Sequence, residues 1–180
     1  MRKVILYIAM SLDGYIADSR GGVDWLRGQE ENGEDEGTYD EFEKGIDTIL
    51  MGWNTYHQVV TELSLQQWIY KDFITYVITH RGIRSTERIR FTDESPASLL
   101  KGLKEQEGKD IWICGGAGLA GQLMEADLID LYRISIIPTI LGSGVRLFGA
   151  LPKEQKLTLT GTRTDNGIVE LTYRRRESKL

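Results

Sequence analysis

The chain has 180 residues, enough for one domain with a sizeable core and too few for two ordinary ones. Its 41% hydrophobic and 27% charged residues are those of a soluble globular chain, and its net charge of −5, relieved only by Arg174-Arg175-Arg176, speaks against a nucleic-acid binder. Cys114 is the only cysteine, which excludes an intrachain disulfide and a cysteine-based zinc site.

Val4–Met10 is an unbroken run of branched and apolar residues, the pattern of a strand buried on both faces. It is too short to span a membrane, and the Ser11-Leu12-Asp13-Gly14 that follows is no signal-peptidase site, so a cytoplasmic protein without membrane, nucleic-acid or metal partners is expected. Asp13-Gly14 is a turn signal, after which Tyr15-Ile16-Ala17 resumes before a second turn at Ser19–Gly22. Gln29–Thr38 is acidic, glycine-containing and free of apolar residues, so it belongs to a surface loop. That loop is either a lid that excludes water or a solvated insertion. Tyr39–Lys44 reads as a helix, with Tyr39, Phe42 and Ile46 spaced on one face.

Asp47–Met51 predicts a second buried strand, closed by Gly52, and Thr55–Val60 predicts a helix. Phe73–Thr79 predicts a third strand, followed by the polar turn His80-Arg81-Gly82. Ser95-Pro96 has the chemistry of an N-cap and first helical position for a helix over Ala97–Gln106, with Leu99, Leu100 and Leu103 inward. Ile111–Cys114 is a strand that stops at Gly115-Gly116-Ala117-Gly118 and passes into a helix carrying Leu119, Leu123 and Met124. Strands are then predicted over Leu131–Ile137, Lys156–Thr164 and Ile168–Arg174, the last two joined by the hairpin signal Asp165-Asn166-Gly167. The class is α/β: a mostly parallel sheet with helical crossovers and an antiparallel C-terminal edge.

Ligands of such sheets lie beyond the carboxyl ends of the strands. Four turns of small residues collect at that edge: Ser11–Gly14, Gly52–Thr55, Thr79–Gly82 and Gly115–Gly118. Glycines let backbone amides approach an anion closely, and a helix N-terminus adds its partial positive charge, so Gly115–Gly118 suits a phosphate or pyrophosphate.

The text of these turns, I-A-M-S-L-D-G-Y-I-A at 8–17, I-L-M-G-W-N-T-Y at 49–56, Y-V-I-T-H-R at 76–81, I-W-I-C-G-G-A-G at 111–118 and I-I-P-T-I-L-G-S-G at 136–144, resembles the dihydrofolate-reductase-like superfamily. S-L-D-G-x-I-A and P-x-x-L-G-x-G favour its branch containing the reductase domain of bacterial riboflavin biosynthesis. The resemblance implies a single-domain three-layer sandwich, an NADPH-dependent reductase and a homodimer. It sets Ala9 and Ile16 beside the nicotinamide, Gly52, Trp53, Asn54 and Thr55 at a cofactor phosphate, Thr79, His80 and Arg81 at the adenosine ribose and 2′-phosphate, and Gly115, Gly116, Ala117 and Gly118 at the pyrophosphate. The implied substrate is 5-amino-6-(5-phosphoribosylamino)uracil-like or dihydrofolate- or pterin-like.

Two departures stand out. Trp53 occupies the place of an arginine that often follows the glycine, leaving Arg81 and His80 to supply charge to a 2′-phosphate. Counting back four from Phe42 gives Thr38 where a dihydrofolate reductase carries its substrate-binding carboxylate, with Glu36 one helical offset away as the candidate substitute. Asp13 either orients substrate or a proton-relay water, or caps its own turn. A second class stays open, a nucleotide-binding protein without turnover, marked by Trp53 and Thr38.

Overall fold

The computed structural model describes residues 1–30 and 38–176. The expected acidic loop falls largely, and Glu36 wholly, outside the described residues.

The apolar runs form the central strands. β1 (Val4–Ser11), β3 (Ile46–Gly52), β4 (Ile74–Ile78), β6 (Asp110–Gly115) and β7 (Leu131–Ile137) run parallel, with β5 (Ile89–Thr92) added in parallel outside β4. β10 (Ile168–Arg175) then pairs antiparallel with β7 and with β9 (Leu157–Asp165), giving the order β5-β4-β3-β6-β1-β7-β10-β9. The hairpin turn is closed by Asn166 and Gly167, both at positive φ (44° and 75°), as an Asn-Gly turn requires. A short ladder apart from the main sheet pairs β2 (Tyr15–Ala17) with β8 (Val145–Arg146).

Helices cover both faces of this sheet. α3 (Pro96–Glu105) starts as its sequence directs: Ser95 Oγ accepts from the Ser98 amide at 3.2 Å, and Pro96 sits in the first turn. Its Leu100 and Leu103 join Leu119, Ala120, Leu123 and Met124 of α4 (Ala117–Glu125) against Val4, Leu6, Leu50, Ile111 and Ile113. On the opposite face α1 (Thr38–Glu43) supplies Phe42, which packs with Ile5, Ile46, Ile49, Met51 and Trp112. α2 (Trp53–Gln58) adds Trp53 and Tyr56 there and continues into a π-helical turn over Val59–Leu63. The strand alternation thus divides into two apolar layers, and the expected three-layer sandwich is the observed one.

Candidate active site

A cavity of about 660 Å³ opens at the carboxyl ends of β1, β3 and β6. Ala9, Ile16, Gly52, Trp53, Asn54, Thr55, Gly115, Gly116, Ala117 and Gly118 all line it. These residues come from four segments, three of which meet because the parallel strands β1, β3 and β6 deliver their carboxyl ends to one rim.

The rim is shaped for close approach. α2 begins at Gly52 and α4 at Gly116, and neither start has a side-chain cap. The first amides of each helix are therefore left to an outside acceptor. Gly52 and Gly116 face each other: a Cβ on Gly52 would lie 3.9 Å from the Gly116 amide nitrogen. Gly115 stands at φ 138°, a conformation closed to side-chain-bearing residues, and a Cβ there would lie 3.4 Å from Thr55 Oγ1. An anion laid across these two helix starts meets backbone N–H groups from both, so the residues present fit a diphosphate.

Thr79, His80 and Arg81 lie off the cavity wall at the end of β4, next to β3. Thr79 is buried and its Oγ1 accepts from the Arg81 amide at 3.2 Å, whereas His80 and Arg81 are exposed. The Arg81 guanidinium carbon stands 4.7 Å from the Trp53 ring centroid. Trp53 therefore forms a platform under the arginine, a cation–π arrangement that holds the charge at the cavity's edge.

Asp13 takes a different place from the cavity-lining group. Its carboxylate accepts from Ser11 Oγ at 2.6 Å and from the amides of Leu141 (3.1 Å) and Gly142 (2.7 Å). The Ser11 hydroxyl and those two amides hold the Asp13 pKa down to about 2. Both oxygens are thus spent on tying the turn after β1 to the loop before β8. The Leu141–Gly144 loop is fixed to that turn by Asp13, and Val145 beyond it reaches the cavity.

One wall of the cavity is aromatic. Tyr7, Tyr70 and Trp112 line it with Cys114, whose Sγ lies 3.7 Å from the Tyr70 hydroxyl. Burial pushes the Cys114 thiol up to about 11, as suits a packed side chain better than a nucleophile. Burial, with the Glu170 carboxylate behind it, pushes Tyr7 up to about 12. Tyr39 of α1 and Tyr70 are raised further by the same cause, burial. Trp112 donates from Nε1 to the Tyr7 carbonyl at 2.9 Å. Beneath Tyr7, Arg133 and Glu170 form an ion pair at 2.6 Å. None of Tyr7, Tyr70, Cys114, Val23 or Leu26 stood among the site residues expected from sequence. Period-two alternation carried the signal for two of them: Tyr7 precedes Ala9 by two, and Cys114 precedes Gly116 by two.

Fold and rim together define a dihydrofolate-reductase-like α/β protein with a deep cleft at the sheet's carboxyl edge. Residues 2–169 match the model of the RibD C-terminal domain, and the chain belongs to that family. It is 39% identical over 173 residues to the uncharacterized protein YwjB of Bacillus subtilis (strain 168), covering 96% of this chain and 97% of that one. The crystal structure of a putative riboflavin biosynthesis protein from Shewanella sp. PV-4 matches with a TM-score of 0.83 and 28% identity, over 97% of this chain and 99% of that one. The dihydrofolate reductase of Enterococcus faecalis, solved in complex with NADP(H), shares the fold at a TM-score of 0.65 and 16% identity, over 97% of both chains. No helix among the described residues is long and apolar enough to cross a membrane.

Proposed function

We propose that this chain is an NADPH-dependent reductase that delivers hydride to a small heterocyclic molecule. The observation that carries the reading is a single cavity joining two uncapped helix starts, an apolar floor and an aromatic wall. In its bound state the cofactor supplies the hydride, and the protein supplies position and a dry environment.

The amides from Gly116 to Gly118 and from Trp53 to Thr55 would hold the diphosphate. Arg81, steadied on Trp53, with His80 and Thr79 beside it, would meet the 2′-phosphate. Ala9 and Ile16 would hold the reduced ring, and the apolar side chains of the same cavity, Ile8, Val59 and Leu119 among them, would limit water in it. Asp13 serves by fixing the loop at Leu141 and Gly142 and takes no direct part in proton transfer, because its carboxylate is already engaged.

NADPH titrated into the protein, followed by the fluorescence of its reduced ring, tests the reading. Gly116→Asp places a carboxylate where the diphosphate belongs, at a site whose Cβ meets only Thr55 Oγ1, 3.5 Å away. At a separation near 5 Å and an effective dielectric constant near 20, the added repulsion is about 3 kcal/mol, roughly a hundredfold loss of affinity. Unchanged affinity in a folded variant refutes the assignment of the rim. NADH binding as tightly as NADPH removes the role given to Arg81.

A further inference from the structure

We infer that Asn166, at the tip of the C-terminal hairpin, is a positioning residue for the reduced ring of the cofactor, acting through residues 28–30 on Val23 and Leu26 of the cavity wall. The inference rests on the reductase reading and concerns residues 18–30, which that reading leaves without a role.

β2 places Ile16 and Ala17 in the wall, and the chain that follows gives the same cavity Gly21, Val23 and Leu26. Residues 21–30 form neither strand nor helix. The stretch folds on itself: the Leu26 amide donates to the Val23 carbonyl at 3.0 Å, the Arg27 amide to the Trp25 carbonyl at 2.8 Å, and Trp25 Nε1 to the Gly22 carbonyl at 3.1 Å. These local bonds give it a shape and leave its place against the cavity to its ends. Leu26 is 41% exposed, with water on its outer side. A segment with a solvated backbone and little buried surface opens at small cost unless it is anchored.

Its start is held by Asp18, whose Oδ1 accepts from the Arg20 and Gly22 amides at 2.7 and 2.9 Å, and by Gln58 of α2, whose Nε2 donates to the Gly21 carbonyl at 2.9 Å. Its far end is held by the hairpin. The Asn166 carbonyl accepts from the Gln29 amide at 2.9 Å, its Oδ1 accepts from the Glu30 amide at 2.8 Å, and its Nδ2 donates to the Glu30 carbonyl at 2.9 Å. One side chain and its own carbonyl thus engage three backbone groups of a segment about 136 residues away in sequence. The fit is steric as well. A Cβ on Gly28 would lie 2.4 Å from Asn166 Nδ2 and 2.6 Å from its carbonyl oxygen, and a Cβ on Gly167 would lie 2.4 Å from Gln29 Cγ. The turn needs positive φ at residue 166, which glycine supplies as readily as asparagine, but asparagine adds a donor and an acceptor. Freed at residues 28–30, the stretch can swing about its Asp18 and Gln58 anchors and carry Val23 and Leu26 off the wall that continues from Ile16. The diphosphate grip, built from the amides of α2 and α4, stays in place.

Two ligands test the inference by calorimetric titration into the full chain: NADPH, and 2′-phospho-ADP-ribose, which keeps the diphosphate and the 2′-phosphate and lacks the nicotinamide ring. Asn166→Gly preserves the turn and removes two hydrogen bonds, each worth roughly a factor of five in the equilibrium that holds the stretch in place. The apparent affinity of a ligand falls with the fraction of protein that is competent to bind it. Gly28→Ala wedges the same contact from the other side and keeps the test decisive where Asn166→Gly fails to fold. The expected result is that each variant binds NADPH about tenfold more weakly, while its affinity for 2′-phospho-ADP-ribose changes by less than about twofold. Unchanged NADPH affinity in either folded variant, equal losses for the two ligands, or failure of both variants to fold overturns the inference, the last two because they mark a purely structural contact. Native protein that binds neither ligand overturns the reductase reading instead, and that observation needs no variant.

Discussion

Removing one partner of the Arg133–Glu170 pair should destabilise the protein more than removing both. The two side chains are 19% and 10% exposed, and Arg133 gives two N–H groups to a single carboxylate oxygen. The guanidinium is held from the other side by Tyr7 and Phe42, whose ring centroids are 4.7 and 5.2 Å from its carbon. Glu170→Gln keeps the shape and leaves a cation among aromatic rings, which costs about 3 kcal/mol, the lower end of the range for breaking a buried pair, because part of Arg133 still touches water. Arg133→Met strands the carboxylate and costs about as much. The double variant Arg133→Met/Glu170→Leu removes both desolvation costs and should lie within about 1 kcal/mol of the native protein or exceed it. Urea unfolding followed by tryptophan fluorescence gives all four stabilities, with a shared slope confirming that the unfolded reference is unchanged. The coupling between the two sites is then about 5 kcal/mol. A Glu170→Gln loss below about 1 kcal/mol, or a double variant that loses the sum of the singles, refutes the account of this pair as a buried one.

Gly144 stands at φ 145°, where an added Cβ would lie 2.1 Å from the Ala17 carbonyl oxygen, so Gly144→Ala must push β8 off β2 and should cost about 2–4 kcal/mol in chemical denaturation. Gly142→Ala in the same loop, at φ 75° with nothing within 4 Å, carries only the left-handed cost of about 1–2 kcal/mol, and equal losses for the two would discredit the clash. Asp13, held down to about 2 against an ordinary value of 3.8, stabilises the folded state above the ordinary value and loses that contribution as pH falls through its own. The Gly142 amide shift in a nitrogen–proton spectrum should therefore titrate with a midpoint near pH 2, and a midpoint at or above 3.8 would show that the carboxylate does not accept that amide.

The sheet was legible because its central strands are buried on both faces and write themselves as unbroken apolar runs, Val4–Met10 and Ile111–Cys114 most plainly. The hairpin was legible in Asp165-Asn166-Gly167 because few residues besides glycine and asparagine tolerate positive φ at such a turn. β5 escaped notice because it is an edge strand: Ile-Arg-Phe-Thr at 89–92 is half-buried or exposed throughout and lies in a polar neighbourhood. β8 is two residues long, with no period to read. The helix expected over Thr55–Val60 begins instead at Trp53, straight after Gly52, and changes to π-helical hydrogen bonding at Val59. Neither the start nor the switch has a marker in local composition.

The candidate site divides along the same physical line. Its glycine rim was readable because backbone approach to an anion demands residues without a Cβ, and that demand leaves a mark in the sequence. Its aromatic wall was not, because a ring that lines a cavity and a ring that fills a core are the same residue at the same spacing. Trp112 is 5% exposed, packs edge-on to Phe42 and Tyr70, and still forms part of the cavity wall. The Arg133–Glu170 pair was hidden for a related reason: the partners are 37 residues apart and belong to strands that meet only when β10 folds back antiparallel to β7. Ser135 is directly opposite Glu170 in that register, which puts Arg133, two residues earlier, diagonal to the carboxylate on the same face. Once the register is known, the Arg133–Glu170 charge balance behind Tyr7 follows from the pleat.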